Sequence, residues 1–197
     1  MGNWERAMKF LSAGTFQPGT LEYKWWEYYD RIALVSTATR YQFFAVPAGA
    51  GGKTETDTNW QVANQMPESE RMAVFYFCFY YLPHAAPMTA AVFQNIVDCL
   101  KNAWFQFKIF NKAPQAQFPL CVAFGNTLPA VVTGGAAGDN LTARAMFNGV
   151  YHLEIEIPLA AKTTINAEIN FSTAPAAALD TDEIYFSMVG PKWSSGN

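Results

Sequence analysis

The sequence predicts an all-β protein, an antiparallel β-sandwich folded as a single jelly roll, with one short helix and long loops. Three observations support this prediction. Segments with strand-like alternation or unbroken apolar runs recur along the chain. Only one segment has helical spacing, so strands and helices do not alternate, and parallel βαβ winding is disfavoured. The chain has 197 residues, of which 51% are hydrophobic, enough for one core of ordinary size.

The chain divides into an N-terminal arm, residues 1–20, and a jelly-roll domain, residues 21–197. The arm has mixed polarity and ends in a stretch with two glycines and a proline. It is predicted to be an arm or a short amphipathic helix outside the core. Residues 125–143 are rich in Gly, Ala, Thr and Pro. They are predicted to form a long loop, with room for one short strand.

The first strands follow the arm. The segment Leu21–Ser36 is aromatic and then β-branched, and its second half is predicted to be a strand. Thr39–Val46 alternates, with Tyr41 and Phe43 on one face, and Pro47 ends it. The stretch AGAGGKTETDT that follows is typical of a polar glycine loop.

Arg71–Leu82 has the strongest strand pattern, and because both of its faces are apolar we expect it in the centre of the core. Two prolines end this strand, and then the period changes. Thr89 is a suitable N-cap, and apolar residues follow at helical spacing: Phe93, Ile96, Val97 and Leu100. We predict one helix there.

The rest of the chain returns to strands. Ala103–Phe110 alternates, as does the segment 165–171, and Glu183–Val189 makes a final strand. Between them, one predicted strand has an apolar face and a polar face: Tyr151, Leu153, Ile155 and Ile157 against His152, Glu154 and Glu156. The total is seven or eight strands.

Composition bears on partners. Charged residues make up 15% of the chain and aromatic residues 16%. Soluble domains usually have about 25% charged residues, so this surface should carry large apolar patches that neighbouring subunits can bury. The net charge of −3 argues against sequence-specific nucleic-acid binding, because phosphate contacts need clustered Lys and Arg. Neither a secretory signal nor a membrane-spanning run is expected. The widely spaced Cys78, Cys99 and Cys121 predict free thiols and an intracellular folding compartment.

The sequence contains no strong motif for nucleotide binding, metal binding or catalysis. PAGAGGKT has Pro47 where a phosphate loop requires glycine, and no helical pattern follows it, so a loop between strands is preferred. Glu154 and Glu156, with Glu168 on a second strand, would form an acidic face for a cation or a basic partner, but a solvated strand face is the simpler interpretation. His84 has no nucleophile partner in the sequence. We predict no catalytic residue, no cofactor and no metal site, hence a protein that is not an enzyme.

Large aromatic residues cluster in the first strand: Trp25, Trp26, Tyr28 and Tyr29. Because successive side chains of a strand point to opposite faces, they cannot all point inward. A subunit contact is favoured over an intramolecular one, and both over a ligand site that stacks sugars. Together with Trp60, these four residues are the predicted subunit interface.

Residues 30–120 carry a resemblance to a known family. An opening strand leads to an aromatic segment, a Gly/Lys/Thr loop and a turn, here represented by Phe43, Phe44, Pro47, Lys53 and Asp57–Asn59. This order of strands and loops resembles the jelly-roll capsid proteins of icosahedral, often membrane-containing bacteriophages. The resemblance implies a virion protein made in the host cytoplasm, which assembles with copies of itself and with other capsid proteins. It also makes the N-terminal arm a candidate contact to an internal membrane, and it implies no catalytic residue.

The main alternative is a carbohydrate- or receptor-binding β-sandwich, such as a spike or lectin-like module. A lectin needs exposed aromatic residues beside acids or amides in a groove, whereas a shell subunit has aromatic residues on several sides. A small hydrolase on a β-sandwich has the least support, because no catalytic constellation is visible.

Overall fold

The structure, a computed structural model, describes residues 5, 6, 9, 21–84, 89–110, 112–124 and 147–195. These residues contain eight strands: β1 (Leu21–Ala33), β2 (Arg40–Phe43), β3 (Glu70–Leu82), β4 (Ala103–Ile109), β5 (Ala116–Pro119), β6 (Phe147–Leu159), β7 (Ile165–Phe171) and β8 (Glu183–Ser195). Two helices, α1 (Ala90–Lys101) and α2 (Leu120–Phe124), and one 3₁₀ turn, Ala177–Leu179, lie between strands.

The strands form two antiparallel sheets of four. Sheet A has the order β1-β8-β3-β6, and sheet B has the order β2-β7-β4-β5. The predicted all-β antiparallel sandwich is therefore confirmed. β3 is a central strand of sheet A, as its two apolar faces predicted.

The pairing of the strands is nested along the chain. β1 pairs with β8, β2 with β7, β3 with β6 and β4 with β5. Every connection crosses from one sheet to the other except the one between β4 and β5. The chain thus behaves as one long hairpin, β1–β4 against β5–β8, wrapped around a common core.

The core between the sheets is largely aromatic. Phe186 of β8 is fully buried at its centre. Its ring lies 4.9–5.7 Å, between centroids, from five other phenylalanine rings, which come from both sheets and from the residue after β2: Phe43, Phe44, Phe77, Phe79 and Phe105. Tilted and edge-on ring pairs of this kind stabilise a core beyond the area they bury.

The predicted helix is confirmed as α1. The hydroxyl of Thr89 accepts a hydrogen bond from the Val92 amide at 3.2 Å, which caps the first turn. The apolar residues predicted to share one face are buried: Phe93, Ile96, Val97 and Leu100. Lys101 lies in the last turn, where a cation is favourable to the helix dipole.

Strand β6 departs from the predicted alternation. Its pairing with β3 is interrupted between His152, opposite Tyr76, and Ile157, opposite Val74. Four residues of β6 therefore face a single residue of β3, and this bulge changes which side chains point inward. Ile155, predicted on the apolar face, is 67% exposed, and Glu156, predicted on the polar face, is buried. Both predictions are wrong for this reason.

The arm contacts this bulge. Residues 5, 6 and 9 are helical, and the Nε of Arg6 donates to Glu156 at 3.1 Å. The other residues of the predicted arm, and the loop predicted at 125–143, lie outside the described residues.

Glycine is required at one crossing of strands. Gly190 of β8 lies opposite Trp26 of β1, where the register between β8 and β3 shifts. A Cβ at position 190 would stand 2.0 Å from the carbonyl oxygen of Ala73, so only glycine allows the two backbones to come this close. Pro191 follows in the same gap of the pairing with β3, while it stays in register with Trp25 of β1.

We expect Gly190→Ala to lower the free energy of unfolding by about 2–3 kcal/mol, because the backbone of β3 must shift to admit a methyl group. Urea unfolding followed by tryptophan fluorescence measures the loss. Gly52→Ala is the control, since its Cβ would meet nothing within 4 Å and the cost comes only from a φ of +81°, about 1 kcal/mol. Equal losses in the two variants would contradict the close approach at Gly190.

Candidate functional site

Sheet A has one face in the core and one face outside it. Residues directly opposite one another share a face, so the strand registers fix which side chains belong to the outer one. Most of those side chains are aromatic or apolar: Trp25, Tyr29, Tyr76, Cys78, Tyr80, Leu82, Val150, Tyr185 and Val189. Five polar residues share the face with them: Glu27, Arg31, His152, Glu183 and Ser187. We refer to this set as the outer face of sheet A.

Several of these side chains are open to solvent. Trp25 is 49% exposed and Val150 is 50% exposed, and Tyr80 and Leu82 are each exposed by more than a third. Trp25 also packs against Tyr76, with ring centroids 6.0 Å apart. A continuous apolar patch on a small domain is typical of a surface that another molecule covers.

The five residues of the predicted interface separate into three groups. Trp25 lies exposed on the outer face of sheet A, and Tyr29 lies there half-buried. Trp26 is partly buried against the core. Tyr28 is 2% exposed and Trp60 is fully buried, their rings meeting edge-on at 5.0 Å.

Tyr28 and Trp60 are therefore core residues, and their prediction as interface contacts is corrected. Strand alternation predicts an inward position for Tyr28 once Trp25 points outward. Trp60 lies outside the named strands, and its burial depends on packing against Phe44, at 4.6 Å between centroids. Sequence periodicity cannot predict that packing.

The free edge of β1, an outermost strand of sheet A, is covered by the turn after the glycine loop. The side-chain oxygen of Asn59 accepts from the Tyr29 amide at 2.9 Å, and its Nδ2 donates to the Glu27 carbonyl at 2.7 Å. The hydroxyl of Thr58 donates to the Tyr29 carbonyl at 2.9 Å. Covered edges resist strand addition, so pairing with another chain at this stretch of β1 is disfavoured.

The glycine loop is held by a buried ion pair. Asp30 is fully buried and accepts from the ammonium of Lys53 and from the Phe44 amide, the latter at 2.6 Å. Lys53 also donates to the Arg31 carbonyl at 2.8 Å. Burial raises the pKa of Asp30, and the lysine acts against that rise. Lys53 therefore serves the fold, which agrees with the rejection of a phosphate loop.

A second ion pair lies beside the first. Arg31 contacts both Asp57 and Glu183, the latter at 3.0 Å. The hydrogen bond from Arg31, with further bonds from Thr54, lowers the pKa of Asp57 to about 2. Asp57 is thus ionised at every ordinary pH and keeps the turn next to β1.

The predicted acidic face does not form. Glu154 and Glu156 lie in β6 of sheet A, whereas Glu168 lies in β7 of sheet B. Burial acts to raise the pKa of Glu168, but hydrogen bonds from Arg40, at 2.9 Å, and Asn166 outweigh it, so that pKa lies below its ordinary value. Within the described ranges no group of three His, Cys, Asp or Glu residues could hold a metal ion.

His84 and the three cysteines were the other residues considered for catalysis, and their surroundings do not favour it. The backbone amide of His84 donates to the buried Asp182 at 2.8 Å, and the residue itself is exposed. The three cysteines are free, with Cys99 buried and the other two half-buried. Burial raises the pKa of the Cys78 thiol, which disfavours the reactive thiolate.

Sheet B also has an outer face, and it is polar. Its side chains are Arg40, Gln42, Trp104, Gln106, Lys108, Gln117, Glu168 and Asn170, with Asn166 beside them. One half-buried aromatic residue, Trp104, stands among amides, opposite Asn170. The two sheets thus present faces of contrasting chemistry.

No protein-family model matches the chain, and no curated protein matches it either. Among the helices that the structure describes, none is long and apolar enough to span a membrane. The candidate site therefore depends on its own geometry.

Sequence reasoning missed much of the outer face of sheet A. Tyr80, Leu82 and Tyr185 fall in predicted strands, but they were not assigned to the surface. The sequence holds one usable signal: β3 is apolar on both faces although a sandwich strand needs only one apolar face. An apolar second face on such a strand indicates a contact beyond the core.

Proposed function

We propose that the sandwich is a single jelly roll and that the protein is a structural subunit of a viral shell, which assembles through the outer face of sheet A. The nested pairing of eight strands supports the first part. In a jelly roll the first strand pairs with the last and the pairing proceeds inward to a central hairpin, which is the pattern of β1 with β8 through β4 with β5.

The single observation that carries the second part is the apolar outer face of sheet A. Half-exposed Trp25 and Val150 lie on it with Tyr80 and Leu82. Burying apolar area is favourable, and specific contacts between proteins bury about 1,600 Å² in total, so an apolar face of this kind is a suitable contact surface. In a closed shell each subunit contacts several neighbours, and this face would supply one of those contacts.

The chain's low charge supports the same proposal. A net charge of −3 on 197 residues gives weak repulsion between copies. The ion pairs Asp30–Lys53 and Arg31–Asp57 hold the loop that covers part of the edge of β1. Strand addition there is disfavoured, which favours contact through the face of sheet A. Assembly is then association by burial, directed by aromatic anchors.

Sedimentation velocity of the purified full chain, over a wide range of protein concentration and salt, tests the proposal. We expect discrete larger species that grow with concentration, and closed particles in electron micrographs of the concentrated sample. A chain that stays monomeric under every condition would overturn the proposed function.

The outer face of sheet B favours a second candidate function, carbohydrate binding. An indole ring stacks on a sugar ring, and side-chain amides pair with sugar hydroxyls. Trp104 has the exposed Gln117 one row away on the same face, where the buried Gln106 donates to it at 3.4 Å. If this face binds sugars, glycan-array binding should disappear in Trp104→Ala and persist in Val150→Glu, which alters the opposite sheet. An array without any bound glycan would contradict it.

A further inference from the structure

The outer face of sheet A contains a shallow pocket of about 290 Å³, lined by Glu27, Tyr80, Leu82 and Tyr185. We refer to it as the tyrosine pocket. Pockets for drug-sized ligands usually measure about 300–1,000 Å³. The tyrosine pocket lies just below that range, so its size suits a single side chain better than a large ligand.

The geometry of the pocket combines a carboxylate with aromatic rings. The hydroxyl of Tyr185 donates to Glu27 at 3.2 Å, which fixes the carboxylate at the rim. Tyr29 stacks on Tyr185, with centroids 5.5 Å apart, and Tyr80 meets Tyr185 edge-on at 5.4 Å. Three tyrosine rings therefore cluster beside one carboxylate.

Glu27 is the charged residue among the four that line the pocket, and the neighbouring Arg31 and Glu183 pair with each other. Among the residues that the structure describes, Glu27 forms no ion pair. Burial raises the pKa of Tyr80 and of Tyr185, and the negative charge of Glu27 raises both further, so both phenols stay neutral. A negative group beside the electron-rich faces of aromatic rings attracts an organic cation.

We propose that the tyrosine pocket accepts the ammonium or guanidinium group of a lysine or arginine side chain from a second copy of this chain. The proposal rests on the proposed function, since it names a contact within the face that self-association buries. The cation would bond to the carboxylate of Glu27 and lie against the ring of Tyr80.

Two features favour a second copy as the occupant. The pocket is continuous with the exposed apolar side chains of Trp25 and Val150, so a partner that covers these residues also covers the pocket. A second copy also brings 13 Lys and Arg residues that can supply the cation, and a contact between opposite charges fixes the register of the two copies.

A small probe tests the pocket without assembly. Ligand-observed NMR on dilute protein would follow N-acetylarginine amide, with N-acetylcitrulline amide as its neutral counterpart. We expect weak, millimolar binding of the arginine probe alone. Glu27→Gln should weaken it by about fivefold or more, and Tyr80→Leu, which keeps apolar volume but removes the ring, should also weaken it. Glu68→Gln, whose carboxylate is 78% exposed before the start of β3 and outside the pocket, is the control and should leave binding unchanged.

Sedimentation velocity then tests the occupant. Glu27→Gln should lower the self-association constant by about fivefold and reduce its dependence on salt, while Glu68→Gln should not. Failure of the arginine probe to bind would overturn the proposal that the tyrosine pocket binds a cation. If the wild-type chain binds the probe but Glu27→Gln self-associates as strongly as the wild type, the occupant is not a second copy. If the wild-type chain stays monomeric and still binds the probe, the proposed function fails together with that occupant, and cation recognition stands.

Discussion

Val150→Glu is expected to weaken self-association strongly, with an association constant at least about 30-fold lower than that of the wild-type chain. Val150 lies on the outer face of sheet A, opposite Cys78, and is 50% exposed in the single chain. A carboxylate there is hydrated in the monomer but would be buried without a partner between two copies, which costs about 2 kcal/mol or more. Sedimentation velocity measures the constant, and a thermal melt checks that the monomer remains folded.

Val62→Glu is the matched control for this variant. Val62 is 41% exposed, in the loop after Trp60, and so has comparable exposure away from sheet A. The substitution adds the same charge to the same chain. We expect an association constant close to that of the wild type. If both variants lose association equally, added charge explains the loss and the outer face of sheet A does not.

Lys53→Met is expected to lower the free energy of unfolding by about 3–5 kcal/mol, because it leaves the carboxylate of Asp30 buried without its cation. Asp30 is fully buried and also holds the Phe44 amide. Phe44 has a φ of 62°, which is costly for a residue with a Cβ. Loss of the ion pair therefore weakens the turn that ends β2 as well. Urea unfolding at pH 7 measures the effect.

An exposed ion pair supplies the control. Lys162 pairs with Glu68, and their side chains are 58% and 78% exposed. Lys162→Met should change stability by less than about 0.5 kcal/mol, since exposed pairs contribute little. Asp30→Asn in the Lys53→Met background removes the unpaired charge and should restore part of the loss. A double variant less stable than Lys53→Met alone would contradict the burial of an unpaired charge as the cause.

The effect of Lys53→Met should also depend on pH. Burial raises the pKa of Asp30 even with Lys53 present, and without the lysine that pKa rises further. The folded variant then holds a proton that the unfolded chain releases, so its stability falls as pH rises through the folded pKa. We expect a larger deficit against the wild type at pH 7 than at pH 5. A stability deficit of equal size at pH 5 and pH 7 would contradict the assignment of this pH dependence to Asp30.

The sequence predicted correctly those helices and strands that are defined by residues close together along the chain. The α1 helix follows from Thr89 and the spacing of its apolar residues, and β3 follows from its unbroken apolar run. The bulge in β6 could not be predicted, because the inserted residues at Ile155 and Glu156 are defined by pairing with β3, a strand far away in sequence.

The candidate site was predicted only in part for a related reason. Alternation separates Trp25 and Tyr29 from Tyr28, but it does not say which face meets the core. That choice depends on sheet order, which brings Tyr185 and Tyr80 beside β1 through β8 and β3. The tyrosine pocket is therefore a product of topology, with members from three strands.

Hydroxyl-radical footprinting of the wild-type chain, at dilute and at high concentration, tests most directly whether copies of the chain cover the outer face of sheet A. We expect oxidation of Trp25 and Tyr80 to fall severalfold at high concentration, while Phe110, 64% exposed away from that face, reacts equally in both samples. Unchanged oxidation of Trp25 and Tyr80, or loss of reactivity at Phe110 instead, would contradict self-association through this face.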